Sequence, residues 1–167
     1  IVRSLTKKPF GVDLLAAIPE SLEQTVDIII EEGAAAFISG LGVPPPHLVK
    51  KFHDADLKVM NVAGTVKHAR HAEHGGLDAV VAQGTEAGGH TGRVAGMALI
   101  PQVVDAVKIP VIAAGSIVDG RGIAAAFALG AQGVWMGTRF IASAEAHAAQ
   151  MYKDVIIEAS DEDTIVT

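Results

Sequence analysis

No cysteine occurs among the 167 residues, so disulfides, thiolate zinc sites and iron–sulfur clusters have no ligands in this chain. Basic residues are outnumbered, 13 Lys and Arg against 19 Asp and Glu, for a net charge of −6. That balance argues against nucleic acid or an anionic membrane as the main partner. No apolar run approaches the roughly 18 residues that a membrane span needs, and no signal peptide is visible. The expectation is a soluble cytoplasmic protein. Linkers and low-complexity stretches are missing as well. So is a strand followed by GxGxxG, which removes the Rossmann dinucleotide fingerprint.

What is present is a repeating strand–helix rhythm in a chain that is half hydrophobic. Short apolar runs rich in Val, Ile and Ala predict strands over 10–15, 35–39, 58–62, 79–83, 111–114 and 133–136, apolar on both faces as in a covered parallel sheet. Helices are expected over 22–32 (capped by Ser21), from Pro44 or Pro45 to about 55, and over 66–74, 98–107, 121–129 and 143–150. Gly33, Gly75 and Gly130 fall where left-handed helix ends are expected.

Six such units in a row indicate an α/β fold. Polar and glycine residues follow nearly every strand instead of clustering at one switch point, which favours a TIM (β/α)8 barrel over a doubly wound sheet. Residues 1–6 read as the end of a helix, and a barrel unit takes roughly 30 residues. The expectation is a barrel fragment lacking its first two βα units. Residues 1–150 are taken as the partial barrel and 151–167, which turn acidic, as a C-terminal extension.

The chemistry is concentrated in three stretches. The first is 84–93, Gly-Thr-Glu-Ala-Gly-Gly-His-Thr-Gly-Arg, which places one imidazole, His90, in a glycine-rich loop after a strand. A histidine so placed is a proton-transfer candidate, since its unperturbed pKa lies near neutrality; the competing reading is a loop histidine bonded to backbone. Beside it, Glu86 either orients His90, acts as an acid, or is solvated. The second and third stretches end strands at Gly115-Ser116 and at Gly137-Thr138. Glycines at the last two strand tips, with two hydroxyls, suit a phosphate dianion. Asn61 ends a strand and is considered for ligand contact, while Trp135 is read as packing between strands and helices. Arg93 and Arg139 either neutralise a ligand's charge or pair with acids. His68, His71 and His74 share a helix, but no carboxylate completes a metal site, and none is assigned.

The segments EAGGHTGR, PQVVDAVKIPVIAAGSIVDGRG and AAAFALGAQGVWMGTRF closely resemble the nitronate monooxygenase family, and FMN-dependent enoyl-ACP reductases are similar to that family. The resemblance implies a TIM barrel holding FMN at the C-terminal ends of its strands. It implies His90 as the active-site base. Gly115, Ser116, Gly137 and Thr138 match the FMN-phosphate loops, while Gln83, Gly84 and Gly89, with 10–15, match the side facing the flavin. The implied reaction oxidises a nitroalkane or nitronate with O2 to a carbonyl compound and nitrite; NAD(P)H-dependent enoyl-ACP reduction is the alternative, and a non-redox phosphate-binding barrel the rival of another class. Two positions depart from the pattern. Ser116 stands where the family usually has a second glycine, and Asp13 where it often has asparagine.

Overall fold

The alternation of apolar runs with amphipathic stretches produces six strands and eight helices in a computed structural model that describes residues 1–15 and 19–164, with 19–21 described by their backbone alone. In chain order these are α1 (Val2–Leu5), β1 (Gly11–Leu15), α2 (Pro19–Glu31), β2 (Ala36–Leu41), α3 (Pro46–Asp54), β3 (Lys58–Ala63) and α4 (Val66–His74). There follow β4 (Ala79–Gln83), α5 (Gly96–Ala106), β5 (Val111–Ala114), α6 (Gly120–Ala128), β6 (Gly133–Trp135), α7 (Thr138–Ile141) and α8 (Gln150–Glu158). All strand pairs are parallel, in the sequential order β1-β2-β3-β4-β5-β6.

Register decides where the core lies, because partners across a parallel pair share a face. Phe37, Val59, Val80, Ala82, Val111 and Ala113 point to one side and join the helices in one buried cluster. Phe37 stacks on Phe52 of α3 with ring centroids 4.6 Å apart. The opposite face carries Asp13, Ile38, Met60, Val81, Gln83, Ile112, Ala114 and Trp135. Helices cover one face only and the strand order never reverses. This is the arrangement of a (β/α)8 barrel over six strands, a half-barrel whose uncovered face is the concave one.

Several expectations shift. Helix α2 starts at Pro19, so Ser21 lies inside it and is not its cap. Gly33 and Gly130 do take left-handed backbone (φ +64° and +93°), but Gly76 (φ +80°) does so in place of Gly75. Residues 143–149 form no helix. Instead, the buried Lys153 of α8 donates Nζ–H bonds to the carbonyls of Ser143 (2.8 Å) and Ala144 (3.3 Å), claiming acceptors that a helix there would use.

Candidate active site

The C-terminal tips of β3 and β4 are built by contacts that leave no room for side chains. The loop after β4 folds back so that Thr85 N–H donates to Val94 O (2.9 Å) and Gly84 N–H to Ala114 O of β5 (3.0 Å). A Cβ on Gly84 would lie 2.6 Å from Gly96 N, so packing against the start of α5 already demands glycine there. Gly92 presses on the tip of β3 in the same way, since a Cβ on Gly64 would lie 2.9 Å from Gly92 Cα. Glu86 ties the loop's ends together: both its carboxylate oxygens accept from Gly96 N–H, at 3.0 and 2.9 Å. The glutamate is thus a helix-start acceptor, and no hydrogen bond among the described residues joins it to His90.

His90 stands exposed in this loop. Its carbonyl accepts from Gln83 Nε2 (3.3 Å), and among the described residues the imidazole has no hydrogen-bond partner. Gln83 reaches it from the concave face, where register also sets Ala114 and Trp135.

The three chemistry-bearing stretches converge. At Gly115 a Cβ would meet Ala87 N and Cβ at 3.3 Å and Gly84 N at 3.4 Å, and at Gly88 one would lie 3.5 Å from Thr138 Oγ1. The histidine loop therefore sits against both the β5 and β6 tips. Gly115 and Ser116 both take positive φ (+98° and +54°), and the serine does so despite its Cβ. A Cβ on Gly137 or Gly89 would meet nothing within 4 Å, so both glycines border open space. The start of α6 is closed to an anion, because Asp119 caps it by accepting from the amides of Arg121 (2.9 Å) and Gly122 (3.4 Å). The Arg121 guanidinium, with those amides, holds the Asp119 carboxyl below its usual pKa. A cavity of about 350 Å³ is lined by Val118, Ile123, Met136, Arg139 and Phe140 among others, from the segments that follow Ser116 and flank Gly137-Thr138.

Three sequence readings change. Asn61 is buried on the helix side; its Nδ2 donates to Ser39 O (3.2 Å) and Gly42 O (2.8 Å), bracing the turn after β2. Trp135 is on the concave face, as its register with Ala114 requires. Arg93 and Arg139 make no ion pair among the described residues, and no group of three or more metal-ligating side chains occurs there. Asp13 shares the concave face. Partial desolvation raises its pKa, offset in part by the Gly40 N–H that its carboxylate accepts. Strand alternation through β1 and β6 would have exposed both Asp13 and Trp135 as concave residues from sequence.

A family model for nitronate monooxygenase matches residues 1–167. The chain belongs to the nitronate monooxygenase family. A Staphylococcus saprophyticus protein described as "Probable nitronate monooxygenase" is 40% identical over 159 residues, 89% of this chain and 45% of that protein. Among solved structures, FabK from Thermotoga maritima is 44% identical with a TM-score of 0.93, matching 99% of this chain and 53% of its own. Nitroalkane oxidase from Streptomyces ansochromogenes is 28% identical with a TM-score of 0.85, over 92% and 57% respectively. The chain spans about half the length of these relatives.

Proposed function

We propose that this chain supplies the catalytic half of a barrel oxidoreductase that binds FMN and oxidises alkyl nitronates or nitroalkanes with O2. The observation that carries the reading is the convergence of the β4, β5 and β6 tips, with an exposed imidazole in the same loop cluster. Residues at the tips fit a phosphate-bearing cofactor. Gly115 and Ser116 turn through left-handed backbone and Gly137 borders open space, a backbone arrangement that suits main-chain amides to an anion. The Ser116 and Thr138 hydroxyls add donors. Gln83, Gly84 and Gly89 would face the flavin ring.

Bound FMN would supply the electron transfer between substrate and oxygen. His90 takes the α-proton of a neutral nitroalkane, for which an exposed, unengaged imidazole is suited. Gln83, bonded to the His90 carbonyl, ties that loop to the end of β4.

The test is a pair of substrates. In the full-length enzyme containing this chain, His90→Asn should lower turnover of neutral nitroalkane by about 10²-fold or more, the usual worth of a positioned base. Turnover of pre-ionised nitronate should fall far less, with nitrite release as the readout. Equal loss on both substrates removes the base role. Reduction by NAD(P)H with turnover of a crotonyl thioester, and no nitrite from either nitro substrate, would replace the reading with enoyl reduction. A purified protein without visible flavin bands would favour the non-redox barrel.

A further inference from the structure

Glu86 is the conspicuous group that the mechanism above leaves unused. It sits four residues before His90 on the same loop, with an exposed side chain, yet both oxygens are turned to the Gly96 amide at the first residue of α5. That amide is one of the four that a helix start leaves without an internal partner. A carboxylate there gains both a charge-assisted bond and the favourable end of the helix dipole. The consequence is geometric. Glu86 and Gly96 bracket residues 87–95, so the bond closes the loop that carries His90 at a second point, beyond the Thr85–Val94 backbone bond. Gly92 against Gly64 seats the far side of the same loop on β3.

We propose that Glu86 is a positioning residue: by clasping the start of α5 it fixes where His90 stands over the strand tips, and it exchanges no proton with substrate. The proposal rests on the reading of His90 as the base. A general acid would need its carboxyl aimed at the reacting atoms, whereas here both oxygens are turned to a main-chain N–H.

The experiment compares Glu86→Ala and Glu86→Gln in the full-length enzyme. It uses amide hydrogen exchange over residues 85–96 together with kcat and KM on neutral nitroalkane and on nitronate. Glu86→Ala should speed exchange of Gly96 and the loop about tenfold. It should lower kcat on neutral nitroalkane by about tenfold with KM little changed, and alter nitronate turnover less than about twofold. Glu86→Gln keeps an acceptor oxygen and should recover most of both. In a His90→Asn background, Glu86→Ala should cost nothing further on neutral nitroalkane, because it acts through His90.

Unchanged exchange in Glu86→Ala overturns the clasp. A Gln variant as defective as the Ala variant, or an additive loss in the His90→Asn background, overturns the positioning role, as does loosened exchange with unchanged turnover. Failure of the base reading is recognised separately, by equal loss of both substrates in His90→Asn alone; the exchange comparison then still decides whether Glu86 holds the loop.

Discussion

At the scale of single residues, Ser116 is the position where conformation and chemistry pull apart. Its φ of +54° is one that an L-residue with a Cβ adopts at a cost of roughly 1–2 kcal/mol. Glycine would sit there without strain, although it loses more entropy on folding. The retained hydroxyl is explained if it donates to the cofactor phosphate. Ser116→Gly should therefore leave thermal stability within about 1 kcal/mol of the parent, or raise it, while weakening FMN binding. Ser116→Ala keeps the strain and loses the same donor, so it should be less stable than Ser116→Gly and bind FMN as weakly. FMN affinity unchanged in Ser116→Gly would show that the hydroxyl is not a ligand.

The histidine loop, by contrast, was legible as a candidate site but not as a structure. Its glycines read as freedom for a ligand to approach. Two of them, Gly84 and Gly92, are instead required by backbone from α5 and β3. Such contacts join positions 12 and 28 residues apart, and no local pattern reports them.

Among the elements, strands were readable because a buried parallel strand is a short apolar run between turn signals, and β4 and β5 have the expected limits. Helix ends were less so. The stretch 143–149 has the alanine content of a helix but no apolar stripe, and its carbonyls serve Lys153 of the following helix. The helix that does form is α8, whose one buried residue is Lys153, where the acidic tail had drawn attention to charge alone. Face assignment suffered from the same locality. Asn61 at a strand end suggested a ligand contact, yet its register with Ser39 turns it to the helices, where it braces the β2–α3 turn. Trp135 moved the other way. Both follow from strand alternation counted from the core, so the information was present in the sequence and only the starting phase was missing.

For the whole molecule, the two ends of the half-barrel divide the labour. The C-terminal tips hold the candidate site, and the opposite end is tied by Asp78, which precedes β4. Its carboxylate accepts from Val59 N–H (2.8 Å), pairs with His53 (2.8 Å) and is reached by Lys58 Nζ (3.2 Å). Partial burial pushes its pKa up, but these bonds outweigh burial and hold the carboxyl below the usual range. A depressed folded pKa adds stability that is fully present above the unfolded value of about 3.9 and is lost as pH falls through the folded one. Asp78→Asn should thus destabilise by about 1–3 kcal/mol at pH 7 in thermal melts, with the gap to the parent closing below about pH 4. A constant gap across that range would place the loss in packing and not in charge.

The fold class was legible because six strand–helix units leave few architectures. All six expected strands form one parallel sheet, so the partial barrel was legible with it. What joins both scales is the claim that amides and hydroxyls at the β5 and β6 tips grip a phosphate. Titrating the full-length protein, stripped of flavin, with FMN and separately with riboflavin, and following flavin fluorescence, isolates that grip. Charge-assisted bonds to the phosphate predict that FMN binds at least about tenfold tighter than riboflavin and that Ser116→Ala narrows the difference. Equal affinity for the two flavins, unchanged by Ser116→Ala, would contradict it.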